Sequence, residues 1–434
     1  MQTQPFIIIF YRTLASSAAG LLLTIIYSIL SARMLGAEGR GLLAAIQLWP
    51  TVLAGAMTMG MSTSFAYHAR KNRNITSSLF ASGLVATVLL SSLSSSLGIF
   101  VLSNFLPTLT SKQIDFAHTY LIAMLPATAI TIYIGGCAQL IDNLRLFNLL
   151  KIIPALLQVI AIIVLYLSIG LTAERLAIAT VVTQLITITW MMNLSINELG
   201  FSLSKTWNYF GIMLSYGLSV WAVEIFGVLT QQVDKIWISG ALQLKYLGIY
   251  TLAFGMSRVI SNIQNSAAAI IFPQNIGKSI SDVVDSTVQV FRLTFWPTLI
   301  LAIPASLLAA PLFPIVFGKD FTLSGQIFPV LVLECIIGTS SWVLAQAFNS
   351  LGKPHLIVLR QATGLASTVI VAYFAVPTFS VWGVVMAVIA GSIVRLIVTI
   401  LAFEKGLGIA IPNIFPNKSD INLITNIFKK RSST

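Results

Sequence analysis

The residue in this sequence with the clearest chemical potential is an arginine in the middle of an apolar stretch. Arg258 lies within the stretch 247–272, roughly 16 Å from its beginning if the stretch is a helix that rises 1.5 Å per residue. A charge at the centre of a bilayer costs at least ~2.5–3.5 kcal/mol, so it needs a partner or a function. Because guanidinium binds phosphate through paired donors, we expect Arg258 to hold an anionic head group such as a diphosphate. A structural ion pair with a neighbouring acid is the alternative.

Polar residues accompany Arg258 at helical spacing. If 247–272 is one helix, its polar face consists of Arg258, Ser261, Asn262 and Asn265. A polar face at membrane depth should avoid lipid and point into the helix bundle or into a water-filled cavity. We therefore predict that Asn262 and Asn265 line a substrate cavity together with Arg258.

Two acidic residues, Glu224 and Glu334, also lie within apolar stretches. Each could neutralise Arg258 or Arg395, which would be a structural role. Each could instead carry a proton, since acidic side chains inside membrane transporters serve as proton relays. The sequence leaves both interpretations open, and a coupling role for Glu224 or Glu334 is a prediction.

The first apolar stretch carries a milder polar face. Steps of three and four residues connect Thr13, Ser17, Gly20, Thr24, Tyr27 and Ser31, which places them on one side of a helix. Such a side can face a cavity, and Thr24 and Tyr27 are then candidate substrate contacts. It can equally mark close helix packing, because small and hydroxylated residues are common at helix interfaces.

The composition places these residues in a membrane protein. Of 434 residues, 57% are hydrophobic and only 9% are charged, against roughly 25% charged in soluble domains. Runs of about 20 apolar residues cross a bilayer as helices, and they predict an all-α polytopic protein with about twelve transmembrane helices. The predicted spans are 13–35, 42–66, 78–106, 116–140, 152–170, 176–196, 211–233, 247–272, 287–310, 326–348, 356–377 and 379–403.

The basic residues predict the orientation of these spans. The net charge is +12, and loops on the cytoplasmic side of membrane proteins are enriched in Lys and Arg. Most of the loop cations fall on one side if both termini are cytoplasmic, including those of the tail 405–434. This distribution explains the positive charge without a nucleic-acid partner, and the tail is expected to lie near anionic membrane lipids.

A weak internal repeat divides the spans into two sets of six. Gly41 and Gly248 begin the second and eighth spans, and Ala138 and Ala345 lie the same number of residues apart near the ends of the fourth and tenth. Short basic loops follow both alanines, the second of them at 353–360. We predict a six-helix lobe over 1–205 and a six-helix lobe over 206–404. Six is even, so the lobes share one orientation, as in transporters that bind substrate between two halves.

Signatures of an enzyme are missing from the sequence. The three histidines lack zinc-ligand spacing and the two cysteines lie in apolar stretches, so neither a metal nor a cofactor is expected. No P-loop pattern predicts ATP hydrolysis. We therefore expect a transporter and not an enzyme.

Several short motifs resemble those of polysaccharide transporters, the lipid-linked oligosaccharide flippases of the multidrug/oligosaccharidyl-lipid/polysaccharide exporter superfamily. The first is Ser-Ala-Arg-Met-Leu-Gly-Ala-Glu-Gly-Arg-Gly at 31–41. The second is Gln-Val-Asp-Lys-Ile-Trp-Ile-Ser-Gly at 232–240, followed by Tyr-Leu-Gly-Ile-Tyr at 246–250. The third pairs Phe-Gly-Lys-Asp-Phe at 317–321 with Asn-Ser-Leu-Gly-Lys at 349–353. Their order along the chain is that of the superfamily.

This resemblance implies two six-helix bundles arranged as a V around a central cavity. It also implies transport of an undecaprenyl-diphosphate-linked oligosaccharide from the inner to the outer leaflet of the cytoplasmic membrane. Cavity arginines would then contact the diphosphate or acidic sugars. Arg258 fits that role, and Arg33 is a lesser candidate near the outer mouth.

Two other functions remain as alternatives. A multidrug or small-cation exporter of the same superfamily should have more buried acids than bases, whereas Arg258, Arg292 and Arg395 face two glutamates in these spans. A membrane-embedded glycan polymerase or ligase would need a large outer loop, and none is predicted. The expected partners of a flippase are the lipid-linked glycan, membrane lipids and a glycan polymerase.

Overall fold

The computed structural model of the protein describes residues 6–140, 144–275, 277–417 and 420. These residues contain helices and no strands, which confirms the prediction of an all-α polytopic protein. The helices are α1 (Phe6–Met57), α2 (Met61–Lys71), α3 (Thr76–Phe105), α4 (Ser111–Leu140), α5 (Leu144–Ser168), α6 (Ala173–Leu199), α7 (Thr206–Ala241), α8 (Leu244–Ser257), α9 (Asn262–Asn275), α10 (Ile280–Phe317), α11 (Thr322–Ser350), α12 (Pro354–Phe379) and α13 (Val381–Leu407).

Nine helical stretches of the described residues are long and apolar enough to cross a membrane. The first of them, Ser16–Lys71, has 56 residues, far more than the roughly 20 that one crossing needs. It contains most of the first predicted span and all of the second. The backbone leaves the helical conformation between them, at Gly36, where φ is 66°. The predicted total of twelve transmembrane helices stays a prediction.

The chain forms two compact units. Unit 1 comprises Met1–Thr251 and Val316–Asp320, and unit 2 comprises Leu252–Ile315 and Phe321–Thr434. The lobe boundaries predicted from the repeat, at 205 and 404, stay predictions.

Large apolar and aromatic side chains fill the interior of unit 1. Phe65 of α2, Phe80 of α3 and Tyr133 of α4 are completely buried and pack ring against ring. The hydroxyl of Tyr133 donates a hydrogen bond to the carbonyl oxygen of Phe80 at 3.1 Å. This hydrogen bond satisfies a buried polar atom in an otherwise apolar core. Together with the ring contacts, it connects helices α2, α3 and α4.

The two glycines identified by the repeat meet inside unit 1. A Cβ atom placed on Gly41 of α1 would overlap the carbonyl oxygen of Leu244, and one placed on Gly248 of α8 would overlap that of Ala37. The contact is reciprocal, since Leu244 precedes Gly248 by as many residues as Ala37 precedes Gly41. Only glycine allows two helix backbones to approach so closely.

We expect Gly248→Ala to lower the melting temperature of the purified protein. The added methyl group meets backbone, which cannot move aside as a side chain could, and overpacking of this kind costs about 1–3 kcal/mol. Gly255→Ala in the same helix is the matched control, because nothing lies within 4 Å of a Cβ there. Thermal unfolding in detergent measures both variants, and equal melting temperatures would contradict the close contact.

A segment after α13 folds back against α10 within unit 2. The guanidinium of Arg292 donates from Nε and Nη2 to the carboxylate of Asp420 at 2.6 and 3.1 Å, and from Nη1 to the carbonyl oxygen of Asn413 at 2.9 Å. Trp296 Nε1 donates to the carbonyl oxygen of Ile414 at 3.1 Å. Much of the predicted basic tail, 418–419 and 421–434, lies outside the described residues.

Acid should release this segment. The hydrogen bond from Arg292 lowers the pKa of the Asp420 carboxyl below its usual value. The stabilisation is therefore complete above the pKa of an unfolded aspartate, about 3.9, and is lost as pH falls through the lowered pKa of Asp420. We expect the protection of backbone amides in 409–417 from hydrogen exchange, measured relative to an unstructured peptide at the same pH, to fall below about pH 4, and Asp420→Asn to lower it at neutral pH. Asp285→Asn, an exposed acid of α10, should leave it unchanged.

Candidate functional site

Arg258 belongs to unit 2 and lies at the break between α8 and α9. Helix α8 ends at Ser257 and α9 begins at Asn262, whereas the sequence predicted one continuous helix over 247–272. Backbone amides from Val259 to Asn262 donate to the carbonyl three residues earlier, which replaces the α-helical pattern. The guanidinium carbon of Arg258 lies 4.0 Å from the ring centroid of Phe254, as in a cation–π contact. Its side chain remains 32% exposed.

One buried carboxylate serves two arginines in unit 2. Glu334 Oε2 of α11 lies 2.6 Å from Arg258 Nη2, and Oε1 lies 3.6 Å from Arg395 Nη2 of α13. Ser392 donates a hydrogen bond to Glu334 Oε1 at 2.7 Å and accepts one from Arg395. The structural ion pair that the sequence left open as an alternative for Arg258 is therefore present. It involves a side chain of Glu334 that is only 4% exposed.

Gly364 of α12 makes room for this cluster. A Cβ atom at residue 364 would overlap the side chain of Arg395, which crosses the helix at this point. Gly364 was not among the residues predicted from the sequence. An isolated glycine within an apolar stretch is a weak signal, since it also occurs wherever helices pack closely.

The helix break divides the polar face predicted around Arg258. Ser261 is buried, whereas Asn262 and Asn265 are exposed on the described surface of α9. Asn262 Nδ2 donates to the carbonyl oxygen of Val259 at 3.1 Å, and Asn265 Nδ2 to Ser261 Oγ at 3.4 Å. The two asparagines keep polar atoms near the break, and their contact with a substrate stays a prediction.

Two residues predicted on the polar face of the first span, Thr24 and Tyr27, make contacts within unit 1. Thr24 is exposed, and its hydroxyl donates to the carbonyl oxygen of Gly20 in the same helix at 2.8 Å. Tyr27 is half-buried and lines a cavity together with Arg40 and Lys235. Arg40 and Lys235 lie outside the spans predicted from the sequence, whereas the structure places them inside α1 and α7. A scan for apolar runs places such cations outside the helices, because a helix can extend past its apolar run and carry charged residues there.

The other two predicted site residues, Arg33 and Glu224, form hydrogen bonds with backbone groups of unit 1. Arg33 is exposed, and its Nε donates to the carbonyl oxygen of Val316 at 2.7 Å. Glu224 is half-buried, and it accepts hydrogen bonds from the backbone amide of Gly60 at 2.8 Å and from Thr63 Oγ1 at 3.5 Å. Gly60 lies at the break between α1 and α2. Glu224 therefore satisfies an amide that the break leaves without a helical partner, and its coupling role stays a prediction.

Arg360 is a further guanidinium inside unit 2. From the sequence, Arg360 was counted with the basic loop at 353–360, although it also falls within the predicted span 356–377. The loop placement is wrong. Helix α12 begins at Pro354, so Arg360 lies almost two turns inside it, and it is only 2% exposed. Its Nε donates to Thr399 Oγ1 at 2.9 Å and its Nη2 to Ser341 Oγ at 2.7 Å.

The fold is similar to that of two solved membrane transporters. The chain is similar to a lipid II flippase, MurJ, in an inward-closed conformation, with a TM-score of 0.73 and 13% identity over 96% of this chain and 89% of that one. It is also similar to an inward-facing multidrug resistance transporter of the MATE family, with a TM-score of 0.71 and 13% identity over 92% of this chain and 98% of that one. At this identity the likeness shows the fold.

The sequence itself identifies the family. The chain belongs to the polysaccharide biosynthesis protein family, which it matches over residues 9–276, and the resemblance to polysaccharide transporters is thereby confirmed. A curated relative is the probable low-salt glycan biosynthesis flippase Agl15 of Haloferax volcanii, 22% identical over 229 residues. That match covers 51% of this chain and 48% of Agl15, so the chain spans about half the length of this relative.

Arg258, Glu334, Ser392 and Arg395 form one ion-pair cluster. We expect substitution of Glu334 to lower the stability of the protein more than substitution of Arg258. Glu334→Gln removes the negative charge that Arg258 and Arg395 both contact, and Arg395 is only 13% exposed. Breaking a buried ion pair costs roughly 3–5 kcal/mol. Arg258→Gln should cost less, because Glu334 keeps Arg395 and Ser392 as partners. Melting temperatures of the two variants in detergent test this order. A larger loss for Arg258→Gln would contradict it.

Proposed function

We propose that this protein is a flippase. It moves an undecaprenyl-diphosphate-linked oligosaccharide from the inner to the outer leaflet of the cytoplasmic membrane, for synthesis of a cell-surface polysaccharide. The observation that carries the proposal is the partly exposed guanidinium of Arg258 at a helix break inside an apolar region. Membership of the polysaccharide biosynthesis protein family supports it. The flippase activity in the names of Agl15 and MurJ supports it as well.

The cluster around Glu334 explains how Arg258 can bind cargo and let it go. A diphosphate that approaches Arg258 competes with Glu334 for the same donors, because both offer anionic oxygens to the guanidinium. When Arg258 turns to the cargo, Glu334 still has Arg395 at 3.6 Å and the hydroxyl of Ser392 at 2.7 Å. No buried carboxylate is left without a partner, so the exchange costs less than breaking an isolated ion pair.

Alternating access with both termini in the cytoplasm completes the proposal. A cycle of this kind needs an energy source, and Glu334 and Glu224 are the acids proposed to carry a coupling ion. Glu334 is the better placed of the two, since its charge state decides how strongly Arg258 is held. Glu224 is tied to the amide of Gly60 at 2.8 Å, which links any change in its charge to the break between α1 and α2.

The charge balance in unit 2 favours this function over drug or cation export. Among the described residues of the cluster, two guanidiniums share the carboxylate of Glu334. A site with more positive than negative charge attracts anions and repels cationic drugs. The fold does not distinguish the two functions, since similar solved structures include both flippases and multidrug transporters.

Flipping of a lipid-linked glycan in proteoliposomes tests the proposal. The purified chain is reconstituted with a polyprenyl-diphosphate-linked oligosaccharide, and a lectin added outside reports the fraction of glycan that reaches the outer leaflet. We expect transfer with the unmodified protein and at least a tenfold slower rate for Arg258→Gln, since a charge-assisted hydrogen bond is worth about 1.5–3 kcal/mol.

The matched control is Arg175→Gln in unit 1. Arg175 is exposed, and its guanidinium donates to the carbonyl oxygens of Ile169 and Gly170. This variant should transport at the unmodified rate. Efflux of a cationic dye without glycan transfer would identify an exporter instead. A full transfer rate for a folded Arg258→Gln variant would remove the role assigned to Arg258.

A further inference from the structure

Unit 1 contains a cavity of about 260 Å³ whose lining includes charged and polar side chains. It lies between α1, α7 and the first turns of α8. Its polar lining residues are Tyr27, Ser31, Arg40, Gln47, Thr51, Gln232, Lys235 and Thr251. Ligand cavities for drug-sized molecules measure roughly 300–1,000 Å³. This cavity therefore has room for a single sugar ring or a diphosphate, but not for a whole oligosaccharide.

The Arg40 guanidinium is fixed at the wall of this cavity by neutral groups. Its Nη1 donates to the carbonyl oxygen of Ser28 at 3.0 Å and to Ser31 Oγ at 2.5 Å. In the part of the chain that the structure describes, Arg40 forms no ion pair. These two bonds orient the guanidinium without neutralising it, so its full positive charge remains for a ligand.

Lys235 supplies a second cation to the same cavity. Its Nζ donates to Gln232 Oε1 at 2.7 Å and to the carbonyl oxygen of Gln231 at 3.1 Å. The adjacent acid, Asp234, does not line the cavity. Its Oδ2 accepts a hydrogen bond from the hydroxyl of Tyr250 at 2.5 Å, and its Oδ1 accepts the backbone amide of Lys235 at 2.8 Å.

We infer that this cavity is an oxyanion-binding site of unit 1, distinct from Arg258. The inference rests on the proposed function, since the ligand is an anionic group of the cargo. Its lining combines two cations with amide and hydroxyl groups, and it includes no carboxylate. Cations bind the charged oxygens of a phosphate or a sugar carboxylate, and amides and hydroxyls bind the neutral oxygens around them. The source of the oxyanion is the diphosphate linker or an acidic sugar.

Binding of small anions to the full-length protein tests the site. Arg258→Gln serves as the background, so that the other candidate anion site is already removed. Pyrophosphate represents the linker, glucuronate represents an acidic sugar, and glucose is the uncharged control. Isothermal titration measures each dissociation constant in detergent. We expect pyrophosphate or glucuronate to bind and glucose not to bind.

Charge-removing variants locate the bound anion. In the same background, Arg40→Gln and Lys235→Gln should each weaken binding roughly tenfold or more, as expected for the loss of a charge-assisted hydrogen bond. Lys245→Gln, an exposed lysine of α8, and Arg175→Gln are the matched controls and should leave the dissociation constant unchanged. The melting temperature of each variant shows that it remains folded. A purely structural Arg40 would affect that temperature alone.

These measurements distinguish a diphosphate linker from an acidic sugar as the source of the anion. They also test the anion site independently of the flippase function. Tighter binding of pyrophosphate assigns the cavity to the linker, and tighter binding of glucuronate assigns it to an acidic sugar. Absence of binding, or binding unchanged by Arg40→Gln and Lys235→Gln, overturns the site. Glycan transfer in proteoliposomes together with such a result would leave the flippase function standing. Anion binding at the cavity without glycan transfer would support the site and reject the flippase function.

Discussion

The strongest constraint on this protein is the cost of keeping charge inside an apolar helical bundle. A single carboxylate, Glu334, makes two guanidiniums tolerable in unit 2, because Arg258 and Arg395 contact its two oxygens. Burying one such charge without a partner would cost several kcal/mol. The helix break, the hydroxyl of Ser392 and the absence of a side chain at Gly364 all serve to hold these three charges within reach of one another.

Two other interior guanidiniums are held by neutral groups. Arg360 in unit 2 and Arg40 in unit 1 receive neutral hydroxyl or carbonyl oxygens as hydrogen-bond partners. Neutral partners fix the direction of a guanidinium but leave its charge in place. Among the described residues, the interior of unit 2 thus carries more positive than negative charge, which the anionic cargo proposed above would balance.

The class of fold and the family were both predictable from the sequence. The class of fold follows from hydropathy averaged over runs of about 20 residues, and the family follows from motifs that are contiguous in the chain. The sequence also located Arg258 and both acids correctly within apolar stretches. The pairing of Glu334 with Arg258 could only be offered as an alternative, because it joins residues far apart in the chain. The cavity around Arg40 and Lys235 was missed for the same reason. Helical periodicity likewise cannot reveal the change to three-residue hydrogen bonding that separates α8 from α9.

The reciprocal contact of Gly41 and Gly248 has a consequence for the origin of the chain. In a symmetric homodimer the same patch on each subunit faces its own copy, so residue i of one meets residue j of the other and the reverse. Gly41 meets Leu244 and Gly248 meets Ala37 in this way within a single polypeptide. A half-length ancestor with one such glycine would already have carried a self-complementary surface, and joining two copies end to end would have preserved it.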